Sequence, residues 1–181
     1  KLLENAQGLT PSQQHALNIW LISFYFAGIR VGDVLQLKWS DFIDNRLRYR
    51  MGKNQKLVSL KIPEKAKPIL GYYRSLAEDD FVFQELRFVD PKDAKILRTR
   101  IKTVTRTCNR HLKKIAEHLG ISKKLSMHIA RHSFGNISGS KIPIQMLQKL
   151  YRHSSVTTTI MYQSNFMQDD VDNALDNVVS F

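Results

Sequence analysis

The sequence predicts a mainly α domain carrying one small antiparallel β-sheet (α+β). Apolar residues recur at helical spacing along most of the chain, strict apolar/polar alternation is confined to residues 46–62, and no internal repeat or Pro/Gly-rich linker interrupts the 181 residues. With 43% hydrophobic residues the chain can bury a sizeable core, so residues 1–181 read as a single domain.

Thr10-Pro11-Ser12-Gln13 predicts a helix start, with Thr10 as N-cap, Pro11 in the first turn and Gln13 closing a capping box. Ala16, Leu17, Trp20, Leu21 and Phe24 continue the helix, while Ile19, Ile22, Tyr25 and Phe26 make it apolar on most sides. It should be a central core helix stopped at Gly28. From Asn45-Arg46, Leu47, Tyr49 and Met51 alternate with Arg46, Arg48 and Arg50; after Gly52-Lys53-Asn54-Gln55 a second run carries Val58, Leu60 and Ile62. This predicts a hairpin with a basic tip. Pro63-Glu64 opens a helix bearing Ala66, Ile69, Leu70, Tyr73 and Leu76, and Phe81-Val82-Phe83 reads as a short buried strand.

A long amphipathic helix follows. Val104, Cys108, Leu112, Ile115, Ala116 and Leu119 form its apolar stripe up to Gly120, and Arg98, Arg100, Lys102, Arg106, Arg110, Lys113 and Lys114 its basic side. Three further helices are expected over 126–137, 143–151 and 156–163, before an acidic-apolar tail at 169–181.

A net charge of +12 points to a polyanionic partner, with nucleic acid first among them. The single cysteine, Cys108, excludes an internal disulfide framework or a cysteine-based zinc cluster and suits a reducing compartment, hence a cytoplasmic protein. No apolar run is long enough for a membrane span, and a first residue other than Met suggests a piece of a longer chain.

Chemistry concentrates in four places. Arg30 follows a buried helix among apolar residues, with Asp33 one turn on; a salt bridge between the two is the structural alternative. Lys53 sits at the hairpin tip. His128-Ile129-Ala130-Arg131-His132 places His128 and Arg131 on one helical face, and Leu150-Tyr151-Arg152-His153-Ser154-Ser155 is followed, at the ninth residue after His153, by Tyr162. Arginines and histidines can hold the non-bridging oxygens of a phosphodiester, a tyrosine can attack it, and a lysine can protonate the departing oxygen. This set needs neither metal nor cofactor.

In these residues the chain resembles the tyrosine recombinases, or phage-type integrases, over nearly its whole length. Their first box matches Gly28-Ile29-Arg30-Val31-Gly32-Asp33 with Leu37-Lys38-Trp39-Ser40-Asp41, and their hairpin lysine matches Lys53, with Lys56 the alternative. Their His-x-x-Arg box matches His128 and Arg131, their His-Ser-Ser box His153, and their nucleophile Tyr162. Two positions depart: Arg152 stands where the family usually has Gly, and Ala130 where it has Leu. Neither removes a chemical group.

The resemblance implies the fold of a tyrosine recombinase catalytic domain and a site-specific recombinase serving integration or excision of a mobile element. Tyr162 would attack a scissile phosphate and form a 3′-phosphotyrosyl bond. Arg30, Arg131 and His153 would bind that phosphate, Lys53 would be the general acid, His128 would assist proton transfer and Asp33 would orient Arg30. Arg98, Arg100, Lys102, Arg106, Arg110 and Arg152 are the expected contacts to double-stranded DNA. The family's N-terminal core-binding domain has no counterpart in these residues. A free monomer assembling into a tetramer on paired DNA sites in the nucleoid is expected, with the 169–181 tail exchanged between neighbours; folding back on its own domain is the alternative. Strand relaxation of the type IB topoisomerase kind, or DNA binding without catalysis, are the competing functions.

Overall fold

A computed structural model of the chain describes residues 3–52, 57–139, 141–151, 157, 159 and 160. The expected helix over 156–163 lies largely outside them, and the 169–181 tail lies wholly outside, as do Lys53, Lys56, Arg152, His153 and Tyr162.

Helix α1 (Pro11–Tyr25) opens with the expected capping box: Gln13 N–H donates to Thr10 Oγ1 at 3.4 Å and Thr10 N–H to Gln13 Oε1 at 2.8 Å. Every residue from Ala16 to Ser23 is buried, which is why α1 has no polar face: it packs on α2 (Val31–Leu35), α4 (Ala94–His118) and α5 (Met127–Ser138). Burying Leu17, Ile19 and Ile22 stabilises the fold by about 1.5–3 kcal/mol each relative to leaving them exposed. The chain leaves α1 through two left-handed residues, Ala27 (φ 59°) and Gly28 (φ 67°), and enters α2 with Arg30 as its N-cap residue.

The sheet has three antiparallel strands in the order β1 (Phe42–Ile43), β2 (Arg46–Arg50), β3 (Leu57–Lys61). The β2–β3 hairpin runs in the anticipated register, with Leu47 opposite Leu60 and Tyr49 opposite Val58 on the buried side. Strand β1 is an addition. Asp44 (φ 52°) and Asn45 (φ 56°) form a two-residue turn with both residues left-handed, a conformation Asp and Asn tolerate, so a second, shorter hairpin precedes the first.

Phe81-Val82-Phe83 is not a strand. Only Phe81 bridges, to Lys38, because the partner segment turns at once into a 3₁₀ turn at Trp39–Asp41, and Gln84–Leu86 does the same on the other side. Val82 and Phe83 are nonetheless buried, as expected. Helix α3 (Lys67–Ser75) follows a 3₁₀ turn at Glu64–Ala66; α4 is capped by Asp93, whose Oδ1 accepts from Lys95 N and Ile96 N at 3.0 and 2.9 Å, and it ends before left-handed Gly120. Helix α6 (Ile144–Tyr151) closes the described chain, apart from residues 157, 159 and 160. The core lies between α1, the stripe of α4 and the inner face of the sheet. Among the described residues no helix is long and apolar enough to cross a membrane.

Candidate active site

A cleft of about 500 Å³ opens where α2, α4 and α5 meet the hairpin. Arg30, Asp33 and Gln36 line it from α2 and its N-cap, Gly52 from the hairpin, Thr105 and Asn109 from α4, and His128 and Arg131 from α5. Arg30, Asp33, His128 and Arg131, anticipated from separate stretches of sequence, thus share one cavity.

Arg131 is 4% exposed, and the fold supplies it with a seat. Its Nη1 donates to Gly28 O at 3.0 Å and its Nη2 to Tyr151 O at 3.4 Å, while its guanidinium lies 3.6 Å from the centroid of the Tyr151 ring. Tyr151 in turn donates its hydroxyl to Arg131 O. Gly28 is needed at this point: a Cβ there would lie 2.7 Å from Arg131 Cα. Arg131 therefore has a structural part in the fold, which its place in a motif did not reveal.

Arg30 is the N-cap residue of α2, where its carbonyl accepts from Val34 N at 2.9 Å. Its Nη1 is buried and has no hydrogen-bond partner among the described residues. Among the described residues no salt bridge joins Arg30 to Asp33, the structural alternative for this pair. Asp33 accepts the Gly52 N–H through Oδ1 at 2.9 Å, tying the start of the hairpin tip to α2 immediately before Lys53. Burial raises the Asp33 carboxyl above its ordinary range; the Gly52 N–H and the charges of Arg30 and Arg131 oppose that rise.

His128 is exposed at the cleft mouth and meets His132 edge to face, with ring centroids 4.5 Å apart. His132 is held below the usual imidazole range by burial and then by the neighbouring His128 and Arg131 charges. The start of α5 is fixed from two sides. Ser126, its N-cap, makes no side-chain cap; Asn109 Oδ1 from α4 accepts the Met127 N–H at 2.8 Å, and Trp20 Nε1 from α1 donates to Ser126 O at 3.0 Å. These groups set where His128 and Arg131 stand, and sequence reading missed both. For Asn109 a signal existed: a mediocre helix former in mid-helix, at the border of an apolar stripe.

Of the α4 cations, Arg106 and Lys113 lie three residues before and four after Asn109 and so flank it on one side of the helix, with Lys102 a further turn back. Arg98, Lys102, Arg106 and Arg110 are all exposed. Arg100 is differently engaged: its Nε donates to Glu85 O at 3.0 Å, and it lines a separate pocket with His15 and His111. In chemical terms the cleft offers two guanidinium groups and an imidazole beside one buried carboxylate, a donor set suited to an anionic tetrahedral oxygen cluster.

Residues 1–169 match the phage integrase family. A tyrosine recombinase of Thermosipho africanus is 30% identical over 143 residues, covering 76% of this chain and 46% of the relative, and the tyrosine recombinase XerD of Chlamydia trachomatis is 28% identical, covering 78% and 46%. The chain therefore spans about half the length of these relatives. Among solved structures, XerA recombinase superposes with a TM-score of 0.69 at 24% identity, over 99% of this chain and 62% of that one. A lambda integrase fragment, crystallised as a dimer on a core site, gives 0.64 at 17% over 90% and 56%. The fold is that of the recombinases' catalytic domains, and with its residues matched from 1 to 169 this chain belongs to the phage integrase family.

Proposed function

We propose that this chain is the catalytic domain of a site-specific DNA recombinase, cutting and rejoining strands through a phosphotyrosyl intermediate. The observation that carries the reading is the convergence of Arg30, His128 and Arg131 on one cleft, with a buried Arg30 Nη1 that has no hydrogen-bond partner among the described residues and an Arg131 seated on Gly28 O. In this mechanism Tyr162 Oη attacks the scissile phosphorus, the bond to the 5′ oxygen breaks, and that oxygen takes its proton from Lys53. Arg30, Arg131 and His153 bind the non-bridging oxygens, while His128 accepts the phenolic proton. A 5′ hydroxyl from a second strand then displaces the tyrosine. The reaction conserves bond energy in the phosphotyrosine and calls on no cofactor.

Double-stranded DNA is the substrate, held in part by Arg98, Lys102, Arg106, Arg110 and Arg152. DNA-bound lambda integrase and the DNA-bound integrase of the Tn1549 transposon, whose folds this chain shares, support that choice and a role in moving a mobile element. A tetramer on paired sites and a location at the nucleoid belong to the same reading, as does a separate N-terminal domain closing around the DNA. The test is incubation with a nicked duplex from which cleavage releases a short strand ending in a 5′ hydroxyl. A protein–DNA adduct that survives denaturant is expected, and Arg30→Ala should lower its yield by at least ~10²-fold, about the loss for one transition-state donor. No adduct on any family core sequence, with DNA binding intact, would leave a binding module.

A further inference from the structure

We propose that Asn109 is a further phosphate-binding group of the cleft, donating from its side-chain amide nitrogen to a non-bridging phosphodiester oxygen. The inference rests on the cleft being a phosphate site. A peptide N–H can face only the oxygen of a carboxamide, so the 2.8 Å bond from Met127 N fixes which end of the Asn109 side chain is which. The Nδ2 group is then the end left over, and it has no partner among the described residues. Asn109 lines the same cleft as Arg30, His128 and Arg131. It stands on a helix of 25 residues whose neighbouring turns bury Cys108 and Leu112, so its position is held by the core.

The chemistry suits the place. Arg30 and Arg131 already put two positive charges at the cleft; a neutral amide adds a hydrogen bond without adding to the repulsion between cations. Because the same side chain caps α5, it also joins the phosphate to the helix that carries His128 and Arg131.

The test is a titration of the ¹⁵N-labelled chain with inorganic phosphate at constant ionic strength, followed by NMR. The Asn109 side-chain NH₂ pair, identified by its loss in Asn109→Asp, should shift along the same saturation curve as the Arg30 guanidinium signal. Asn109→Ala should bind phosphate about tenfold more weakly, as expected for one hydrogen bond to a charged group. Asn109→Asp keeps an acceptor for Met127 N–H, so its α5 amide resonances should stay in place while phosphate affinity falls. Saturation of the Arg30 signal with the Asn109 pair unmoved would overturn the proposal, and so would the absence of any phosphate response at either residue. Since no step requires cleavage, an unmoved Asn109 in a chain that forms DNA adducts refutes this inference alone. A responding Asn109 in a chain that never forms adducts refutes only the strand-transfer reading.

Discussion

Gly28 and Arg131 come from distant parts of the chain and stand so close that any side chain at residue 28 would strike the Arg131 backbone. Gly28→Ala combines that clash with a left-handed φ, costs of about 1–2 kcal/mol for the conformation and a similar amount for overpacking. Urea denaturation should therefore report a loss of about 2–4 kcal/mol; a loss under 1 kcal/mol would show that the contact relaxes freely. Asp33 makes a prediction in pH. Its folded-state carboxyl titrates above the unfolded one, so below the ordinary carboxylate range it is protonated in both states and costs nothing, whereas above that range the folded state gives up the proton less readily than the unfolded one and stability falls as pH rises. Asp33→Asn keeps an oxygen for Gly52 and cannot ionise. Its melting temperature relative to the parent should rise steadily from acid to neutral pH, and a constant offset would contradict the assignment. Arg30, His128 and Arg131 were legible in the sequence because charged residues among apolar ones announce themselves. Tyr151 and Asn109 were not, since a buried tyrosine and a helical asparagine look ordinary until Arg131 and Met127 are seen against them.

Helix α4 serves as a beam between core and cleft. One edge buries Val104, Cys108 and Leu112, the next presents Thr105 and Asn109 to the cleft, and the exposed side carries Lys102, Arg106 and Arg110. Burial, with the Glu85 carboxylate adding to it, pushes the Cys108 thiol up to about 12. Native protein should accordingly resist iodoacetamide at pH 8 and react only as it unfolds, so labelling at the rate of a free thiol would mean α4 is not seated as described. Long elements such as α1 and α4 could be read from periodicity over several turns. The five-residue α2 and the two-residue β1 could not, being too short for a pattern to repeat; Asp44-Asn45 was a turn signal, but weaker than the Asn-Gly or Asp-Gly pairs that usually mark such hairpins. Phe81-Val82-Phe83 misled because an apolar triplet fixes burial, while strand pairing depends on a partner segment that here turns away.

At the scale of the molecule, a net charge of +12 favours DNA and opposes self-association. Sedimentation should find a monomer free in solution and higher assemblies on paired sites. Deleting residues 169–181, whose Val171, Leu175, Val178 and Val179 lie at approximately helical spacing among Asp169, Asp170, Asp172 and Asp176, should abolish cooperative binding; unchanged cooperativity, with cleavage also unchanged, would make that tail dispensable packing. Cleavage itself is most directly tested by one substitution in one assay: Tyr162→Phe on the nicked duplex, with adduct and DNA affinity measured on the same samples. Removal of one hydroxyl should eliminate the denaturant-resistant adduct and leave affinity within a factor of a few, whereas adduct formation at the parental rate would contradict attack by Tyr162.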